Sequence, residues 1–138
     1  MTLYFTVVGQ PIPLARSRVG RYGQVYTPRR SLKYQQEIWY AAREAGASIG
    51  MFSNRPVWLG VQVYLPRPKP GSAAAAVTLP YPAFAPDLDN FIKQVMDALR
   101  PAYDDDGQVV GFLPGTGKYW GEPGLVIILT DRKEIGNA

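Results

Sequence analysis

Six of the chain's eleven acidic residues fall between Pro86 and Val109: Asp87, Asp89, Asp97, Asp104, Asp105 and Asp106. Only Lys93 and Arg100 interrupt them with positive charge, and the rest of the 138-residue chain is basic enough to leave a net +4. Carboxylates gathered in this way repel one another unless something compensates them, and a divalent cation is the simplest agent. The chain has no histidine and no cysteine. That excludes imidazole and thiolate metal sites, disulfides, and Ser-His or Cys-His nucleophile pairs. Carboxylate, lysine and water chemistry remains, and oxygen-only donors select a hard cation, Mg²⁺ or Mn²⁺. A cation so held suits hydrolysis of phosphoesters.

Two elements must position these groups. Asp89 or Asn90 suits the N-cap of a helix in which Ile92, Val95, Met96 and Leu99 form the apolar stripe, and Pro101 ends it. On that helix Asp89, Lys93 and Asp97 recur every four residues, about 6 Å apart along the axis. Asp104 to Gly107 reads as a turn, and Gln108 opens a strand. A strand returning past the helix N-terminus would set its leading aspartates against Asp87 and Asp89, with Lys93 beside them. Aspartates at a helix start or in a turn also serve as plain caps, and D-x-D alone occurs in sugar transferases and phosphatases as well. The longer run D-x-D-N-x-x-K-x-x-x-D-A-L, followed after a short gap by D-D-x-Q-V, is far more specific.

That run resembles the RusA family of Holliday junction resolvases of bacteria and their phages and prophages. The opening strand, P-x-P-x-A-R-x-R, Y-T-P-R-R and a Tyr-bearing helix resemble the start of the same family. The resemblance implies a Mg²⁺-dependent, structure-selective endodeoxyribonuclease acting on four-way junctions in DNA recombination and repair, with a homodimer carrying one site per subunit. It places the metal-binding aspartates on Asp87, Asp89 and Asp106 and the active-site lysine on Lys93. Three consecutive aspartates leave Asp105 as the alternative third ligand. Rival readings of the residues are a basic DNA-binding module with a structural cation, and a metal-dependent phosphatase or nucleotide hydrolase.

The remaining chain fits a polyanionic partner. From Gln10 to Gln36 there are six basic residues, Arg16, Arg18, Arg21, Arg29, Arg30 and Lys33, and no acidic one. Tyr22, Tyr26 and Tyr34 lie among them, a composition suited to phosphate and base contacts as well as to a solvated loop. Thr2 to Val8 reads as a strand, Gly20 to Gly23 as a hairpin tip before a short strand to Thr27, and Thr27-Pro28 or Ser31 as the start of a helix to about Ala47. Its inner face is expected to hold Leu32, Gln35 or Gln36, Trp39 and Ala42, with Trp39 and Tyr40 in core or interface. Val57 to Leu65 alternates like a half-buried strand. Residues 66–86 read as a flexible loop leading to Asp87, where Tyr81 and Phe84 either touch DNA or pack. The last strands are Gln108 to Leu113 and Leu125 to Thr130, joined by a Gly-rich turn with Lys118, Tyr119 and Trp120, before a frayed tail at 131–138. No apolar run approaches the roughly 18 residues of a membrane span, and no signal peptide precedes the first strand, so a cytoplasmic protein without membrane contact or organic cofactor is expected. The expected architecture is a single α+β domain over 1–138: a mixed or antiparallel sheet of four or five strands with two main helices packed on it.

Overall fold

The computed structural model describes residues 1–72 and 79–132, so part of the 66–86 loop and most of the expected tail lie outside the described residues. In chain order the elements are β1 (Thr2–Val8), β2 (Arg18–Val19), β3 (Val25–Tyr26), α1 (Arg29–Glu44), β4 (Val57–Leu65), α2 (Leu88–Ala98), β5 (Val109–Phe112), β6 (Gly117–Trp120) and β7 (Gly124–Thr130). The α+β architecture is as expected. The main sheet is mixed and five-stranded, with order β1-β7-β4-β5 and β6 also on β4, while β2 and β3 form a separate two-stranded hairpin.

Strand alternation explains the sheet's inner face. Leu3, Phe5 and Val7 of β1, Val57, Leu59, Val61, Val63 and Leu65 of β4, and Leu125, Ile127 and Leu129 of β7 are all buried. They meet Tyr34, Ile38 and Ala42 of α1 and Phe91, Val95 and Ala98 of α2 in one core. β7 runs antiparallel to both β1 and β4 and joins the chain's two ends in one sheet.

One edge of β4 is shared. Its first half pairs in parallel with β5 and its second half in parallel with β6. Between the two, Leu113 N–H still donates to Leu59 O, and the Thr116 hydroxyl accepts from Val61 N–H. A side chain thus substitutes for a ladder carbonyl where the strand is interrupted. Lys118, Tyr119 and Trp120, expected in a turn, are therefore strand residues. The glycines around them mask the strand, and its pairing with β4 is non-local.

The buried face of α1 is rotated from the expected one, whereas that of α2 keeps its expected stripe and is wider than expected. In α1 the buried residues are Ser31, Tyr34, Ile38 and Ala42, while Leu32 is 45% exposed, Trp39 packs at the margin and Tyr40 faces solvent. In α2 the expected Val95 and Leu99 are fully buried and Ile92 and Met96 pack at the margin, while Phe91, Gln94 and Ala98 extend the buried face. The cause is a polar seam. Gln94 is buried because its Nε2 donates to Ser31 O at 3.3 Å and its Oε1 accepts from Gln35 Nε2 at 2.9 Å. A buried amide with both ends bonded avoids the desolvation cost that would otherwise hold it at the surface. The N-cap of α2 is Asp87, not Asp89 or Asn90, and its side chain makes no capping hydrogen bond. The helix ends at Ala98, before the 3₁₀ turn Arg100–Ala102 that contains Pro101.

Candidate active site

Lys93, Asp97 and Arg100 stand at i, i+4 and i+7, so they share one face of α2 and the turn that follows it. The chain then folds back through Tyr103, whose buried hydroxyl donates to Met96 O at 2.7 Å. This return brings Asp106 to the same face. Asp106 Oδ2 lies 3.7 Å from Lys93 Nζ, and Oδ1 lies 3.7 Å from Arg100 Nε. Both distances are too long for hydrogen bonds but short enough for strong Coulomb attraction. Burial pushes the Asp97 carboxyl above its ordinary range, the Asp106 charge pushes it further, and Lys93 and Arg100 pull it back. The Tyr103 phenol is raised for the same reasons, burial first and Asp106 second.

The three consecutive aspartates do different things. Asp104 is a staple: its carboxylate accepts from Ser53 Oγ at 2.9 Å and from Asn54 N–H at 3.1 Å. Asp105 is exposed; it caps the 3₁₀ turn at 106–108 in a capping box with Gln108 and approaches Arg100 Nη2 at 3.8 Å. Asp106 alone turns to Lys93, and its Oδ1 is buried without a hydrogen bond. Gln108 fixes this turn. Its Oε1 accepts from the backbone N–H of Asp104 and Asp105, and its Nε2 donates to Phe52 O and Arg55 O. Arg100 and Gln108 are the site residues that sequence reasoning passed over. The i+7 spacing from Lys93 signals Arg100, whereas nothing local signals Gln108.

Asp87 and Asp89 head α2 as exposed side chains without a hydrogen bond or ion pair among the described residues. As the side chains stand, no group of three carboxylates among the described residues gathers closely enough to hold a metal. Lys93 and Asp106 are brought together; Asp87 and Asp89 are not shown meeting them. The donor set nevertheless suits a hard cation, since a buried carboxylate oxygen with no hydrogen bond is a ready ligand.

The basic segment is joined to this region. Leu14 N–H donates to Asn90 O at 3.0 Å, at the head of α2, and Ala15 N–H donates to Ser31 Oγ at 3.0 Å, in α1. Arg16 and Arg18 follow directly and lead into the β2–β3 hairpin, whose Val19, Tyr22, Val25 and Tyr26 are exposed. Arg29, Arg30 and Lys33 lie on the first turns of α1. All six basic side chains are exposed, and none forms an ion pair among the described residues. An open groove lined by Arg29, Leu32, Lys33 and Gln36 runs along α1, next to one between α1 and α2 lined by Leu32, Gln36, Trp39 and Asp97 among others.

An α+β domain with a lysine–carboxylate cluster beside unpaired arginines has the makings of a phosphodiesterase. Residues 8–130 match the family described as endodeoxyribonuclease RusA, and the chain belongs to that family. Over 116 residues it is 35% identical to a Bacillus subtilis (strain 168) protein named only as uncharacterized protein YqaN, covering 77% of this chain and 80% of the relative. The resemblance carried by the central motif thus extends over nearly the whole domain.

Proposed function

We propose that this endodeoxyribonuclease is a Mg²⁺-dependent junction resolvase that works as a homodimer on four-way DNA in recombination or repair, in the cytoplasm of a bacterium or as a phage or prophage product. The observation that carries this reading is the meeting of Lys93 and Asp106, from separate elements, beside a family match spanning both. Asp87, Asp89 and Asp106 would hold the cation, with Mn²⁺ able to substitute. Asp106 is favoured over Asp105 because its carboxylate faces Lys93, and Asp104 is already committed to the 53–54 loop. When bound, the cation supplies Lewis-acid polarisation and charge compensation at the phosphoryl group.

The chain's own residues do the rest. Lys93 offers a point charge to the scissile phosphate, and Asp106 holds that ammonium in place. Arg100 balances the carboxylates that Asp97, Asp105 and Asp106 crowd together. Arg16, Arg18, Arg21, Arg29, Arg30 and Lys33 contact phosphates along the arms and position the substrate without reading its sequence.

The test is a labelled synthetic four-way junction incubated with the wild-type protein and with Asp89→Asn, with and without Mg²⁺. Paired nicks by the wild type only with the cation, and retained binding without nicking by the variant, are expected. Normal Mg²⁺-dependent nicking by Asp89→Asn would remove Asp89 from the mechanism. Binding without any nicking by the wild type would leave the chain a DNA-binding module.

A further inference from the structure

Residues 79–86, which lead into Asp87, form no helix or strand, yet Asp87 and Asp89 have to be presented reproducibly if they are to hold a cation. β6 supplies the support. Three of its consecutive residues receive the incoming chain. Trp120 Nε1–H donates to Leu79 O at 2.9 Å, and the Trp120 ring packs on Phe84 with centroids 5.6 Å apart. Tyr119 meets Tyr81 edge-on at 6.0 Å while stacking on Tyr64. Lys118 Nζ donates to Phe84 O at 2.6 Å and to Pro86 O at 3.0 Å.

The Lys118 contacts stand apart. Lys118 is fixed at its base by pairing with Val63 of β4, a core strand, so its stem starts from a rigid point. Among the described residues it has no carboxylate partner. Its charge is satisfied by two carbonyls, one immediately before Asp87 and one three residues before it. A lysine half-sheltered from solvent and spent on backbone carbonyls is an uncommon use of a strongly hydrated ammonium. Charge-assisted hydrogen bonds are the stronger kind, and two on alternate carbonyls restrain the direction of the peptide that leads into Asp87. Such outer contacts orient the groups that act directly.

We infer that Lys118 is a positioning residue for the catalytic carboxylates: it clamps the carbonyls of Phe84 and Pro86 and so fixes the approach of Asp87 and the head of α2. This rests on the proposed roles of Asp87 and Asp89. The clamp comes from β6, which begins eleven positions beyond Asp106, outside the run of residues that carries the chemistry. Lys118 itself touches neither phosphate nor metal.

The experiment compares wild type, Lys118→Met and Lys118→Arg by amide hydrogen exchange, by cleavage at saturating junction with Mg²⁺ titrated, and by junction affinity. Lys118→Met should exchange faster over residues 84–91 while β4 and β7 stay protected. Its cleavage should fall about 10- to 100-fold at limiting Mg²⁺, the range typical of residues that orient a metal ligand. Raised Mg²⁺ should recover part of this, and junction affinity should stay within about twofold of wild type. Lys118→Arg, which keeps charge and donors, should lie between the two. Unchanged exchange over 84–91, or wild-type cleavage at limiting Mg²⁺, would overturn the inference. Should Lys118→Met lose protection in β4 as well, Trp120→Leu, which removes the Leu79 hydrogen bond and the Phe84 ring contact, carries the same expectations. Failure of the proposed function would appear separately, as wild-type protein that does not cleave junctions, whereas the exchange measurement reads the clamp whatever the reaction.

Discussion

Lys93 Nζ and Asp106 Oδ2 lie 3.7 Å apart although they are thirteen positions apart in the chain, across a 3₁₀ turn. Tyr103, anchored to Met96 O, makes the turn tight enough to bring them together. The pair divides the three consecutive aspartates into one that faces the lysine and two that serve the fold or solvent.

Asp106→Asn should therefore lose more than about 100-fold in junction cleavage, beyond the 10- to 100-fold typical of a merely supporting residue, with DNA binding kept or tightened. Asp105→Asn should stay within a few-fold of wild type. Single-turnover cleavage of both variants decides the register. An inactive Asp105→Asn beside an active Asp106→Asn would shift the third ligand by one residue.

Replacing Arg16 and Arg18 together by Ala should weaken junction binding and reduce the salt dependence by up to about two phosphate contacts. Binding titrations across a salt series measure both. Unchanged affinity and slope would mark this segment as a solvated loop, despite its tether to Asn90.

Gln94→Ala should destabilise the domain by about 1–3 kcal/mol in denaturant titration, because Ser31 O and Gln35 Nε2 lose their partner inside the α1–α2 seam. Gln36→Ala, on the exposed side of α1, should change stability by less than about 0.5 kcal/mol. Equal effects would deny the seam its structural role.

Asp97 and Asp131 should give opposite pH dependences. The Asp97 carboxyl is raised in the fold, chiefly by burial, so its charged form is disfavoured and its contribution becomes less unfavourable as pH falls through that raised value. Asp97→Asn should raise the unfolding temperature at pH 7, with the gain shrinking toward pH 4. The Asp131 carboxyl is lowered, first by the hydrogen bond from the N-terminal ammonium, against burial, which raises it, and further by Arg55. Its stabilisation is complete above the ordinary aspartate value of about 3.9 and is lost as pH falls through the lowered value. Asp131→Asn should flatten that acid limb. Thermal melts of both variants from pH 7 to about pH 2 test the signs.

If the active form is a symmetric dimer, mixing wild-type and Asp89→Asn subunits should yield heterodimers that nick one strand of a junction and leave the opposing strand intact. A strict monomer by sedimentation that still made paired nicks would refute the assembly.

Local signals carried much of this fold. β4 is legible because Val57, Leu59, Val61, Val63 and Leu65 fall at every second position. The face of α1 and the full width of that of α2 were not, because the seam buries Ser31 and Gln94, which a hydropathy stripe assigns to the surface. At the site, the motif indicated Lys93 and the aspartates, since their spacing is local. Gln108 was missed as a brace because its partners at Phe52 and Arg55 are more than fifty residues away. β6 was missed because glycines flank it and its pairing partner lies in a distant strand.

Asp131 was expected to begin a loose tail, yet its two carboxylate oxygens take the Met1 ammonium at 2.7 Å and Arg55 Nη1 at 2.8 Å. One carboxylate thus fastens the start of β1 to the loop before β4 at the point where β7 ends. It works as a rivet through three segments, so one substitution there would loosen all three together.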